Sequence, residues 1–201
     1  GITNGTAKHV KVYVSSDDYT TNKNIEWGNA VGSSPESGFT YSDAEDTKKV
    51  VSFDTAQMNV KSVRIEFTHT YSQGSEKDNQ WIRVVEAGIG AATEDDSRVT
   101  LTAYAESWQG DSVASNVVDN NTETQWHSKY NGAETNDNHI PEDANGNDSL
   151  GNDTPMAKYN NLYLVLSKPT TVENIFIQAK WSDGITNGTA KHVKVYVSSD
   201  D

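Results

Sequence analysis

The stretch GITNGTAKHVKVYVSSDD stands at positions 1–18 and again, letter for letter, at 184–201. The second copy starts 183 residues after the first, so one non-redundant unit is 183 residues long. That is enough chain for a single domain with its own hydrophobic core. Two origins fit so exact a repeat: a window cut from an array of 183-residue units, or an engineered duplication. With no initiator Met and no signal peptide, the chain reads as an excised piece. The repeated stretch is one strand with its entry loop, and a domain has one slot for it. An unpaired strand edge seeks another chain, and exchange of an identical element is a low-cost route to assembly. Self-association or tandem neighbouring units are therefore expected.

The dominant hydrophobic period is two. In HVKVYVS (9–15), Val10, Val12 and Val14 alternate with His9, Lys11 and Tyr13, which predicts a strand with one face inward. The same pattern predicts strands over 48–54, 60–70, 80–89, 98–106, 161–167 and 171–180. Residues 111–119 are expected to give one short turn of helix, and no longer amphipathic helix is legible. The fold class expected is all-β, a jelly-roll β-sandwich with turns rich in Asn, Asp, Gly, Ser and Thr. Two segments break the pattern. Residues 91–97 are short and polar and read as a linker or seam. Residues 129–160 form an acidic, Asn- and Gly-rich loop insertion.

Composition narrows the partners. With 29 acidic against 16 basic residues the net charge is −13, which argues against nucleic acid and anionic membrane and is compatible with divalent cations and an extracellular life. There is no cysteine, so stability rests on the core or on a metal. No apolar run approaches the ~20 residues of a membrane span, and no membrane insertion is expected.

The phrase GDSVASNVVDNNTETQWHS (110–128) is the most informative in the chain. Its Ala114, Ser115, Asn116, Asp119, Asn120, Thr124, Trp126, His127 and Ser128 follow the pattern A-S-N-x-x-D-G-x-x-x-T-x-W-H-S/T. It resembles the discoidin-like, coagulation-factor type C domains, nearest to their bacterial relatives in carbohydrate-binding module family 32. NLYLVLSKPTTVENIFIQAKW, NGTAKHVKVYVSSDD and QWIRVVEAGIG are similar to other strand units of that family. Their order here is rotated. Residues 1–90 look like the C-terminal half of one discoidin-like unit, and 98–201 like the N-terminal half of the next, with 184–201 duplicating 1–18.

The resemblance implies a structural calcium in the DNNTET loop. Carried over, Asp119 supplies a carboxylate, Asn121 a carbonyl, Thr124 a carbonyl and a hydroxyl, and Glu86 a closing carboxylate. Ca²⁺ takes six to eight hard oxygens in flexible geometry, so this donor set is chemically apt. Asn120 replaces the family's Gly, and Asn tolerates the left-handed backbone that Gly would supply. Without the surrounding motif, such a loop reads as a solvated turn. The same holds for the carboxylates of the insertion (Asp137, Glu142, Asp143, Asp148, Asp153).

The resemblance also implies a sugar-binding face built from loops. Its matching positions are Glu106, His127, Lys180 and Asn187 (equivalently Asn4). Lys180 stands where galactose binders carry Arg, and lacks the two-pronged guanidinium. Trp181, Trp81 and Tyr71 are candidates for stacking on the apolar face of a pyranose. Trp126 and Trp108 read as core or loop anchors, His127 equally as a hydrogen-bonded loop histidine, and His9 and His192 as solvated. No Ser-His-Asp signature, phosphate-binding Gly-rich loop or HExxH motif occurs, so no catalytic arrangement stands out. The function expected is a non-catalytic, calcium-stabilised carbohydrate-binding module of a secreted or cell-surface, bacterial repeat protein. It would bind a galactose- or N-acetylhexosamine-type glycan. The alternative is a structural spacer repeat of an adhesin or surface filament with no sugar binding.

Overall fold

In the first strand, β1 (Thr6–Ser15), Val10 and Val12 face the interior as their alternation predicts, while Lys11 is exposed. A computed structural model describes residues 5–72, 75–78, 81–91, 98–128 and 161–181. The linker residues 92–97, the insertion 129–160 and the second copy of the repeat lie outside the described residues. The remaining strands are β2 (Gly32–Ser33), β3 (Lys48–Ser72), β4 (Ser75–Asp78), β5 (Arg83–Val84), β6 (Glu86–Ala91), β7 (Leu101–Ala105), β8 (Trp126–His127) and β9 (Asn161–Gln178). Two short 3-10 turns, Glu45–Thr47 and Ala114–Val118, lie between strands. The expected all-β class holds, and every described pairing is antiparallel.

The main sheet runs β2-β1-β3-β9-β6, with β4 also on β3 and β7 also on β9; β5 and β8 make a separate two-stranded piece. β3 and β9 are its axis. Their ladder runs from Lys48 opposite Gln178 to Glu66 opposite Asn161. β6 flanks the later part of β9, from Glu86 opposite Gln178 to Ala91 opposite Val172. β7 flanks the earlier part, from Leu101 opposite Leu166 to Ala105 opposite Leu162.

Two segments expected as pairs of strands are thus single strands. Turn-forming residues around 54–59 and 168–169 predict breaks. The ladder instead carries them as register irregularities between Ser52 and Ser62. Asn59 adopts a positive φ of 57° there, and Pro169 lies on the facing stretch, where it has no N–H to donate. The expected strand over 80–89 divides the other way. Trp81 and Ile82 precede β5, and Val85 separates β5 from β6.

One hydrophobic cluster joins Val10 and Val12 of β1, Val51, Val63, Ile65 and Phe67 of β3, Ala103 and Ala105 of β7, Trp126 of β8, and Leu162, Leu164, Leu166, Ile175 and Ile177 of β9. Trp126 is fully buried, and its indole N–H donates to the Ser107 carbonyl at 2.8 Å, which makes it the core anchor its sequence context predicts. The early half of β9 is buried on both faces. Its outer face is covered by residues 17–27. Tyr19 stacks on Tyr163 with ring centroids 4.0 Å apart, and its N–H donates to Ser62 Oγ at 3.0 Å. Tyr13, Arg64, Tyr163 and Tyr104 form one row across four strands beneath this cover. No helix among the described residues is long and apolar enough to cross a membrane.

Leu164 is fully buried between β3 and β7. Leu164→Ala should destabilise the protein by about 2–5 kcal/mol in denaturant unfolding, since the side chain's transfer term and the cavity term add. Met58, 76 % exposed, is the control: Met58→Ala should change stability by less than about 0.5 kcal/mol. Equal losses at the two positions would contradict the placement of the core.

Candidate functional site

The Ala114–Val118 turn ends at Asp119, and the chain then doubles back through Asn120. Asn120 has φ of 58°, the left-handed conformation anticipated for a residue in place of Gly. The loop closes on itself. Asn121 N–H donates to Asp119 Oδ1 at 2.9 Å, and Glu123 N–H to Asn121 Oδ1 at 3.1 Å. The Thr124 hydroxyl lies 2.8 Å from Asp119 Oδ2 and 2.7 Å from the Asn121 carbonyl oxygen.

Glu86 opens β6 beside this loop. It shares the wall of a groove with Val118 and Asn120, and one of its carboxylate oxygens, Oε1, is buried with no hydrogen-bond partner among the described residues. Burial raises its pKa above the ordinary carboxyl range. The Asn121 backbone N–H pulls it down, the Asp119 charge raises it again and Lys48 lowers it. The fold therefore brings the two expected carboxylates together although 33 positions separate them in sequence. Among the described residues no group of three or more His, Cys, Asp or Glu gathers that could hold a metal; the Asn121 carbonyl and the Thr124 hydroxyl are further oxygens of the loop.

The sugar-face residues divide among separate places. Trp81 and His127 come together, stacked at 4.7 Å with an interplanar angle of 13°. β5 and β8 hold them there, with Arg83 opposite His127 and Val84 opposite Trp126. Arg83 was not anticipated. Its guanidinium lies 4.9 Å from the Trp81 ring centroid, and its Nε is buried with no hydrogen-bond partner among the described residues. Its signal in the sequence was only its position two residues after Trp81 on a strand. His127 is 8 % exposed. Burial holds its imidazole below the ordinary pKa, the Ser128 carbonyl pulls upward and Arg83 pushes it down further. Trp81 also packs on Gly5, where a Cβ would sit 2.2 Å from the indole ring, so only glycine fits.

Glu106 is held elsewhere, on the outer face of the sheet. It accepts from Tyr163 OH at 2.7 Å and from Asn161 Nδ2 at 3.0 Å. That neighbourhood, with Tyr19, Trp27 and Tyr104, is an aromatic group that single-strand periodicity does not reveal. Burial and the Glu106 charge push the Tyr19 hydroxyl up to about 12. The Tyr71 hydroxyl donates to the Phe39 carbonyl at 2.7 Å, while its own carbonyl accepts from Gly5 N–H at 2.8 Å. Lys180 and Trp181 follow the end of β9, where Ala179 N–H donates to Thr47 O and Gln178 O accepts from Val85 N–H; both side chains are half-buried. Asn187, and the five carboxylates of the insertion, lie outside the described residues.

No family model, curated protein or solved structure matches this chain.

Because the Glu86 pKa is raised on folding, its contribution to stability is present at acidic pH and is lost as pH rises through the folded value. In chelator, Glu86→Gln should therefore be at least as stable as the parent at pH 7, and the two should converge toward pH 4 by urea unfolding. A parent more stable than Glu86→Gln at pH 7 in chelator would refute the penalty of burying this carboxylate beside Asp119. Asn120→Val should cost about 1–2 kcal/mol through its φ, whereas Asn120→Gly should be tolerated.

Proposed function

We propose that this protein is a non-catalytic carbohydrate-binding module on a jelly-roll β-sandwich, stabilised by calcium, from a secreted or cell-surface repeat protein. The observation that carries the reading is the Trp81–Arg83–His127 cluster. An aromatic ring, a guanidinium whose Nε has no hydrogen-bond partner among the described residues, and an imidazole stand within contact distance on the two-stranded β5–β8 piece. Sugar recognition needs this combination: an aromatic surface for C–H faces, and planar polar groups for hydroxyl pairs. In this reading Arg83 takes the part that sequence comparison sought at Lys180. The 110–128 motif, which resembles carbohydrate-binding module family 32, supports the same class.

Calcium in this proposal is held by Asp119, Asn121, Thr124 and Glu86. The buried Glu86 Oε1, without a hydrogen-bond partner among the described residues, and the neighbouring Asp119 carboxylate fit a hard cation, which would offset their repulsion. The ion's part is structural: it ties β6 to the loop after the Ala114–Val118 turn. A second reading, the structural spacer, is favoured by one observation. His127 covers one face of Trp81, and Gly5 packs tightly against the same ring, as in an anchor.

Two measurements test these assignments. A glycan array in millimolar calcium should show binding to galactose- or N-acetylhexosamine-type glycans. Trp81→Ala, and Arg83→Lys with its fold intact, should each weaken that binding at least tenfold. An array with no bound glycan supports the spacer. Calcium should raise the melting temperature by several degrees, because a ligand of the folded state alone stabilises by mass action. Glu86→Gln should lose that increment, and an unchanged melting curve would remove calcium from the account.

A further inference from the structure

The interior-facing residues of β1 are Ala7, Val10 and Val12, and those at the facing end of β3 are Ile65, Phe67 and Thr70. Each series contains one step of three where a flat strand has steps of two. The register explains it. Ala7 pairs with Thr70, His9 with His69 and Val10 with Phe67, leaving Lys8 extra on β1 and Thr68 extra on β3. Two irregularities therefore bracket a single pair, His9 opposite His69. Strict alternation from Phe67 would send His69 into the core. The extra Thr68 turns it outward, so both histidines are half-buried on the outer side. Their rings meet edge to face with centroids 5.0 Å apart and an interplanar angle of 73°.

We propose that His9 and His69 bind a divalent transition-metal ion of the zinc type. Imidazole is the ligand class that suits Zn²⁺, Cu²⁺ and Ni²⁺. Two imidazole nitrogens on a tetrahedral zinc lie about 3.3 Å apart, given metal–nitrogen bonds of about 2.0–2.1 Å. Opposed residues on adjacent antiparallel strands can span that gap, with Cβ atoms about 4.5–5.5 Å apart. Each ring also has a hydroxyl oxygen beside Nδ1: Ser34 Oγ at 3.5 Å for His9 and Thr68 Oγ1 at 3.1 Å for His69. Ser34 Oγ itself accepts the Val10 N–H at 3.2 Å, which fixes its position. In the metal-bound form each ring would donate from Nδ1 to that hydroxyl oxygen, which would orient it.

Lys8, next to His9 in the chain, is turned to other partners: its ammonium lies 2.6 Å from the Ser37 carbonyl and 3.4 Å from that of Phe39. Water completes the coordination. The site differs from the Asp119 loop in donor chemistry, nitrogen against oxygen, and does not depend on the sugar-binding proposal.

The test is a calorimetric titration of the full chain with zinc chloride in a non-coordinating buffer, alongside ¹⁵N spectra of the histidine rings. One zinc per chain is expected, with two imidazole Nε2 resonances shifting together. His9→Gln and His69→Gln should each weaken binding at least tenfold. His192→Gln, which alters the same position of the second repeat copy, and His139→Gln should leave it unchanged. The ring spectra of the parent read the site without any substitution. Zinc affinity that survives both His9→Gln and His69→Gln, or that follows His139 or His192, would overturn the proposal. So would ring resonances unmoved at saturating zinc.

Discussion

The ladder between β3 and β9 is the constraint on which the rest of the structure depends. It joins residues 48–66 to residues 161–178, so its closure carries a large loop entropy that local contacts cannot repay. Burial repays it. β9 is flanked on both edges, and Leu162, Leu164, Leu166, Val172 and Ile175 keep no accessible surface. Each buried side chain of this size contributes about 1.5–3 kcal/mol. β1 and β4 then hang on β3, while β6 and β7 hang on β9.

Irregularities in this frame decide where functional chemistry can appear. A regular ladder fixes every side chain to one of two faces. The slips between Ser52 and Ser62 let one strand pair run on through a stretch that carries turn-forming residues and a proline. The paired extra residues Lys8 and Thr68 bring two histidines to the outer face of one row. At the other candidate site the left-handed Asn120 folds the Asp119 loop back on itself. Gly5 admits the Trp81 ring so closely that any side chain there would displace it.

Electrostatics divide the acidic chain's carboxylates into satisfied and unsatisfied groups. Glu106 receives hydrogen bonds from Tyr163 and Asn161, which compensate its partial burial beneath the aromatic cover. Lys23 and Arg64 add cation–π contacts to the same group, 4.1 Å from Tyr19 and 4.0 Å from Tyr13. Glu86 Oε1 has no such compensation among the described residues, and the Asp119 charge lies close enough to raise its pKa further. The calcium proposed between Glu86 and the Asp119 loop would offset both the burial and the repulsion.

By itself, the sequence determined the all-β class, the inward set Val10 and Val12, the anchoring of Trp126 and the backbone conformation of Asn120. Each of these follows from side-chain period or from local conformational preference, which a short window contains. Tertiary structure alone decided that 48–54 and 60–70 continue as one strand, and likewise 161–167 and 171–180. Turn-forming residues look the same whether a chain reverses or bulges, and only the partner strand distinguishes the two. It also decided that Arg83 lies against Trp81, that Glu106 belongs to the aromatic outer face, and that His9 meets His69. These are pairings between strands far apart in the chain. Their register is set by which faces can be buried together, a property of the assembled sheet and not of any one strand.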